Sequence, residues 1–368
     1  MAWGRAALGL AVASVVAATL VSGGSQGESF RLPNDPQWLA RARPLGPGAP
    51  TWARRMYRRS LLVLQAMTNP KTGAVVAGRR DGWEYVWPRD ASAVAMALAS
   101  AGYRDEARQV VHFLMGLDLG AAARFYEDGT PVEGRDAQGD AAGWVRAAAR
   151  AVGLDARLDP LRWQGRADYQ EEESGDYLGN AIASAAAGEP KDVPAGGPSV
   201  RRPAEIQIRK GFDTTGVLVR GAGNPGSGLD SVAAWAVRPF RLTALYPLTR
   251  RTLLRVAAAS GRYGIVPSED WSGGNDPWTA PTAWTAWGLA ALGERRAALK
   301  LMAALRRDET PSGLLPERVD AQTGIPTSTT PLAWSHAFAI LALRQLWNGR
   351  NAFPMHTKGN ALRPAGDG

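Results

Sequence analysis

Residues 87–117 read WPRDASAVAMALASAGYRDEARQVVHFLMGL, and the way this stretch divides decides the fold. Ala91 to Ser100 form a small-residue helix that Gly102 closes, because glycine takes the left-handed conformation of a helix stop without penalty. Asp105 then opens a second helix with Val110, Val111, Leu114 and Leu117 at helical spacing, and a long loop, 119–137, follows. The same pattern continues outward in both directions. Upstream, Trp52, Met56, Leu61 and Leu64 make one stripe. Downstream, helices are expected over Asp140–Val152, Tyr177–Ala187, Leu229–Phe240 and Thr249–Ala259. Two more begin near Pro281 and Pro331, with Thr279 and Thr330 as candidate caps, and the last carries Leu332, Phe338, Leu341 and Trp347. The longest loops, at 119–137, 159–173, 211–228, 262–279 and 308–330, recur after alternate helices. Such a chain is either a solenoid or a closed double ring, and the lack of a fixed period argues against a simple solenoid. Loops gathered at one rim are where a helical barrel would place its cleft.

Composition narrows the function. The 368-residue chain has no Cys and 14 Trp, which excludes a disulfide-stapled mini-protein and asks what so many indoles do. Carbohydrate and nucleic-acid clefts both use aromatic platforms. The net charge of +9 would suit a nucleic-acid binder, but the arginines are scattered singly or in pairs. The longest cluster, Arg54 to Arg59, falls on a predicted helix whose ordinary explanation is a solvated face. Nucleic acid is therefore not an expected partner. His112, His336 and His356 lie far apart, and no metal site or cofactor is expected. Residues 1–29 carry Arg5 ahead of an uncharged run, Ala6–Val21, and then small residues. They read as a signal peptide, or as a membrane anchor if uncleaved, so the protein is expected to be secreted. Residues 30–50 read as a Pro/Gly linker, 51–350 as one helical domain and 351–368 as a tail.

Four loops concentrate aromatic, carboxylate and arginine residues: Trp83–Asp90; Asp168–Glu173; Gly261–Trp278; and Gly313–Arg318 with Pro331–His336 after it. Carboxylates that move protons and indoles that stack on sugar C–H faces are the parts a carbohydrate hydrolase needs. Each residue also has a plainer explanation. Trp87, Trp278 and Trp334 suit core aromatics at helix ends, Glu171–Glu173 a solvated charge run, Asp90 a helix cap and Pro316-Glu317 a turn.

Taken together, these segments resemble glycoside hydrolase family 15, the glucoamylases with glucodextranases and some trehalases. The carriers are W-P-R-D (87–90), D-Y-Q-E (168–171), P-E-R (316–318) and P-L-A-W-S-H-A (331–337), in the family's order from about residue 52 to 347. The resemblance implies an all-α fold, an (α/α)6 barrel or six-hairpin toroid. It also implies an exo-acting, inverting α-glucosidase that releases β-glucose from α-1,4- or α-1,6-linked glucan oligosaccharides. By position Glu171 is the general acid and Glu317 the general base. Trp87, Arg89, Asp90, Glu172, Arg262, Glu269 and Trp278 are implied to bind substrate. Gln138 and Asp140 resemble a further family segment and receive no catalytic role. Glu172 and Glu173 could raise the pKa of the acid, and they leave its register open between Glu171 and Glu172.

Three departures qualify the match. Gln170 stands where the family commonly has Trp. Residues 188–212 hold only a weak helix, so the ring is expected to be irregular there. The chain has no room for the extra β-sandwich or starch-binding modules of other members, so poor action on granular starch is expected. Two alternatives to the α-glucosidase remain: a trehalase of the same family, and a silent carbohydrate-binding protein.

Overall fold

The structure, a computed structural model, describes residue 30 and residues 32–349 except 81, 157, 159, 160, 172 and 188–201. The proposed leader (1–29) and tail (351–368) lie outside the described residues. Eleven α-helices are described: α1 (Pro36–Arg41), α2 (Thr51–Met67), α3 (Pro88–Ala101), α4 (Arg104–Met115), α5 (Ala141–Val152), α6 (Leu178–Ala187), α7 (Arg202–Phe212), α8 (Tyr246–Ala259), α9 (Thr279–Ala291), α10 (Arg295–Asp308) and α11 (Ala333–Asn348). A 3-10 segment, Ser231–Ala236, and a two-residue hairpin, β1 (Asp213–Thr214) with β2 (Val217–Leu218), complete the frame.

Packing closes a ring. α3, α5, α6, Ser231–Ala236, α9 and α11 each touch the next, and α11 returns to α3. The outer layer holds α2, α4, α7, α8 and α10, so the fold is the expected (α/α)6 barrel. Sequence explains which helix goes where. Every residue of α3 is buried, and its alanines allow neighbours to approach closely on all sides. α4 buries only Ala107, Val110, Val111 and Leu114, one stripe, as an outer helix must. The turn between them is local chemistry: Pro88 takes the first helical position, and Gly102 stops α3 with φ 104°.

The ring also departs from regularity among the described residues. Within 188–212, residues 202–212 form α7 in the outer layer, and 188–201 lie outside the described residues. The outer position between α5 and α6 is the irregular one: no helix is described between Val152 and Leu178, and that span carries the Asp168–Glu171 turn. The helix expected over 229–240 shortens to Ser231–Ala236, capped by Asp230, whose side chain accepts from Val232 N. Pro239 has no N–H to offer and restrains Arg238, so the helix cannot continue through it.

The stretch read as a linker is also different. Asp35 caps α1 by accepting from Trp38 N at 2.8 Å, and Trp38 stacks on Tyr103 with centroids 4.1 Å apart. Arg43 N donates to Ala101 O at 2.7 Å, and Leu45 is buried. Proline and glycine shape the turns there, while Trp38 and Leu45 bind the segment to the barrel.

The core answers part of the tryptophan question. Trp144, Trp235 and Trp284 form an edge-to-face series with centroids 4.9 and 5.5 Å apart, extended by Phe338 and Trp334. Tyr169 packs on Trp284 at 5.3 Å and so joins the core to the loop rim. No helix among the described residues is long and apolar enough to cross a membrane.

Candidate active site

A pocket of about 230 Å³ opens among the loops, lined by Trp83, Trp87, Arg89, Asp90, Arg135, Tyr169, Gln170, Glu171, Trp271, Trp278, Glu317, Arg318 and Trp334. Glu171 and Glu317, 146 positions apart in the chain, face this one space. Five of the 14 indoles wall it, so tryptophan serves both the core and the pocket.

The floor is an ion network at the start of α3. Arg89, 4% exposed, donates to Gln138 Oε1 at 2.6 Å and to Asp140 Oδ2 at 3.1 Å, and its guanidinium lies 4.9 Å from the centre of the Trp334 ring. A buried guanidinium requires such partners. Asp140, at the cap position of α5, turns its carboxylate to Arg89 instead of capping the helix. Burial pushes the Asp90 carboxyl up to about 7, against the opposing pull of Arg89. Its Oδ2 lies 3.4 Å from Arg89 Nε but accepts no hydrogen bond among the described residues. Asp90 lines the pocket, with Oδ2 itself buried beside Arg89.

Glu171 sits on a tight turn. Its N–H donates to Asp168 O, and its φ of 57° is left-handed, which costs a non-glycine residue about 1–2 kcal/mol. The turn is held from below by Arg220, which contacts Asp168 through two nitrogens at 3.3 and 3.2 Å and Asp270 at 3.2 Å. Tyr169 donates to Asp230 Oδ1 at 2.8 Å, and Gln170 donates to Ser268 Oγ at 3.0 Å. Burial drives the Asp230 carboxyl up to about 7. On Glu171 itself three donors converge: Trp87 Nε1 at 2.6 Å and Gln138 Nε2 at 2.9 Å on Oε1, and Arg135 in an ion pair on Oε2.

Glu317 is held differently. It is 4% exposed, and burial raises its carboxyl above the ordinary glutamate range. Ser328 Oγ donates to it, and the Arg318 and Arg135 charges act in the opposite sense to burial. Its backbone is pinned on both sides: Glu317 N donates to Thr329 O, and Thr279 N donates to Glu317 O, each at 2.9 Å. Two residues upstream, Leu315 N donates to His336 Nε2 at 2.9 Å, which leaves the proton on Nδ1 to reach Ser60 Oγ at 2.9 Å. Burial lowers the His336 imidazole to about 3, so it is neutral.

Of the residues named from sequence, Trp87, Arg89, Asp90, Glu171, Trp278 and Glu317 converge on the pocket. Arg262 and Glu269 do not. They line a separate cavity, where Glu269 Oε2 accepts from Leu229 N at 2.8 Å and the Arg262 guanidinium lies against Tyr263. Gly264 (φ 113°) turns the chain after Arg262, and the Ile265–Trp278 bridge closes the loop that carries Glu269, so one motif serves two cavities. Glu172 lies outside the described residues; among the described members of the acidic run, Glu171 lines the pocket. Sequence reasoning placed Trp83, Tyr169, Gln170, Trp271 and Arg318 in its four loops without giving them a site role, and missed Arg135 on the pocket wall and Arg220 and Ser328 behind it. Gln138 and Asp140, set aside earlier, hold Arg89 and Glu171.

A closed ring of six inner elements with an outer helical layer, and two carboxyl groups in an indole-walled pocket at the loop rim, define the class: a glycoside hydrolase. Residues 51–118 match the model of "Glycosyl hydrolases family 15". That stretch, which holds α2, α3 and α4, is similar to that family. Solved structures agree on the fold. A wild-type glycosidase superposes with a TM-score of 0.68 at 20% identity, over 87% of this chain and 100% of that one. A bacterial glucoamylase complexed with acarbose gives 0.67 at 16% identity, over 87% of this chain and 58% of that one. The glucoamylase from Saccharomycopsis fibuligera gives 0.60 at 16% identity, over 83% and 96%. At these identities the likeness concerns the fold. No curated protein matches the sequence.

Proposed function

We propose that this protein is an exo-acting, inverting α-glucosidase that releases β-glucose from the ends of α-1,4- or α-1,6-linked glucan oligosaccharides, and that it acts outside the cell after export. The observation that carries this reading is the pair of carboxyl groups, each fixed by its own set of hydrogen bonds, in one pocket walled by indoles. Support for a glucose-type substrate comes from a glycosidase variant of the same fold solved with glucose and from the bacterial glucoamylase solved with acarbose.

In this mechanism Glu171 gives its proton to the glycosidic oxygen while Glu317 takes one from a water on the opposite face of the sugar. The water oxygen bonds the anomeric carbon as the old bond breaks, which inverts the configuration. Such a pair works at a separation of about 6.5–9.5 Å, which leaves room for that water. Asp90 and Arg89 on the floor receive the terminal sugar, and Trp87, Trp278 and Trp334 flank it. The test is glucose release from maltose, isomaltose, maltotriose and trehalose. Turnover of the first three that falls at least about 100-fold in Glu317→Gln supports the assignment. Turnover of trehalose alone makes the protein a trehalase. Full activity in Glu317→Gln removes the base, and binding without turnover of any sugar leaves only a carbohydrate-binding role.

A further inference from the structure

A general acid must present a protonated oxygen to the bond it cleaves, at hydrogen-bond distance from the leaving oxygen. The pocket as it stands does not allow this. Both positions on Glu171 Oε1 are taken, by the Trp87 indole and the Gln138 amide. The amide is itself locked, since its Oε1 accepts from Arg89 and its Nε2 also reaches Asp168 O at 3.0 Å. Oε2 is therefore the oxygen left for proton transfer, and Arg135 occupies it. All three partners are donors, and donors favour the carboxylate over the carboxylic acid.

Arg135 differs from the other two in its freedom. Its side chain is 43% exposed, whereas Glu171 is 16% exposed, and it belongs to a loop strand that follows Gly134. It lines the pocket, so a sugar in the cleft must meet it. Among the described residues its other charged neighbours pull in opposite senses: Arg124, in the adjacent segment of the same loop, repels it, and the buried Glu317 attracts it. The remaining charges of the pocket, Arg89 and Asp90 on the floor and Arg318 beside Glu317, are engaged with one another or with the Glu317 segment.

We propose that Arg135 is a positioning residue that clamps Glu171 as a carboxylate in the empty pocket and is displaced from Oε2 by the arriving sugar. This rests on the reading of Glu171 as the acid. Once Arg135 leaves, Oε2 takes a proton from solvent and passes it to the glycosidic oxygen. The leaving group departs as an alcohol, Glu171 returns to the carboxylate, and Glu317 loses to solvent the proton it took from water. Arg135 then pairs again with Glu171 as product leaves. The acid is thus armed only when a substrate is present.

The test compares pH profiles of wild type, Arg135→Gln and Arg135→Lys. The alkaline limb of kcat/KM reports the acid in the free enzyme, and that of kcat reports it in the complex. Removing one close opposite charge at a half-exposed site moves a carboxyl by about one unit. Arg135→Gln is expected to raise the kcat/KM limb by about that much and leave the kcat limb in place, with Arg135→Lys between the two. Equal limbs in wild type and Arg135→Gln, or a common shift in both parameters, overturn the proposal. A second readout does not depend on turnover. In a Glu317→Gln background with 13C-labelled glutamate side chains, the Glu171 carboxyl resonance, assigned by its loss in Glu171→Gln, is titrated with and without maltose. Maltose should raise its midpoint by about one unit when Arg135 is present and leave it unchanged in Arg135→Gln. An unchanged midpoint in the first case refutes the clamp. Full hydrolytic activity of Glu171→Gln would instead remove the acid assignment, a separate failure.

Discussion

His336 makes the segment that carries Glu317 sensitive to acid, by an amount the structure lets us calculate. The imidazole is fully buried, accepts from Leu315 N and lies 2.9 Å from Ser60 Oγ, and burial takes it from the ordinary 6.5 to about 3. A group whose folded pKa lies below its unfolded one contributes stability that is complete above the unfolded value and is lost as pH falls toward the folded one. Each unit of pH in that window is worth about 1.36 kcal/mol. Between pH 7.5 and 4.5 the cost from His336 is therefore about 3 kcal/mol, and it reaches about 4 kcal/mol near pH 3. Asp90 and Asp230, pushed up to about 7, act in the opposite direction, since a raised carboxyl stabilises the fold below its unfolded pKa and loses that effect as pH rises. The overall stability curve cannot isolate the histidine, but a difference between two proteins can. In His336→Gln the amide can accept from Leu315 and donate to Ser60 without titrating. Urea unfolding followed by tryptophan fluorescence should show the variant less stable at pH 7.5, with the gap closing by about 2–3 kcal/mol at pH 4.5. A gap that does not change with pH would refute the assignment of a neutral, buried imidazole.

Other substitutions test neighbouring parts of the account. Ser328→Ala removes the hydroxyl that donates to Glu317, so the base becomes harder to ionise. The acidic limb of kcat should move up by about one unit with KM little changed, and an unmoved limb would separate Ser328 from the chemistry. Arg220→Met leaves Asp168 and Asp230 buried without their shared cation. Loss of one partner from such a network costs about 3–5 kcal/mol, so thermal unfolding should shift down steeply, and a near-neutral variant would contradict the role given to Arg220. Asp308, at the end of α10, is 1% exposed, neither carboxyl oxygen has a hydrogen-bond partner among the described residues, and burial pushes it up to about 8. Its folded pKa exceeds its unfolded one, so it stabilises the fold only in acid. Asp308→Asn should gain a few kcal/mol at pH 8–9 relative to wild type, and a lower melting temperature there would contradict this reasoning.

How much of this was legible in the sequence depended on whether a feature repeats. Alternation of small-residue and amphipathic helices is periodic, and Ala91–Ser100 beside Val110–Leu117 was enough to assign an inner and an outer helix once the ring was seen. Arg89 and Asp90, in the first turn of α3, were legible for the same reason, since the helix fixes where they face; Glu317 lies in a loop and was legible only through its P-E-R segment. That Arg262 and Glu269 line a different cavity from Trp278 was not legible, because a side chain's chemistry shows what it can bind but not which cavity it faces. Arg135 and Ser328 lie in loops without period, and only the fold shows that they meet Glu171 and Glu317. The span before α6 was read as a long loop from its polar and charged residues, and no helix is described there, but that an outer position of the ring goes without one was visible only once the ring was seen.

The most direct measurement is the anomer released in the first moments of hydrolysis. Proton NMR of maltose or maltotriose with purified protein should show the β-glucose H1 signal ahead of the α signal, which then grows in at the rate of mutarotation. Glu171→Gln and Glu317→Gln should each suppress both signals. First appearance of α-glucose would contradict inversion by this pair of carboxylates, and undiminished release by either variant would contradict its assigned role.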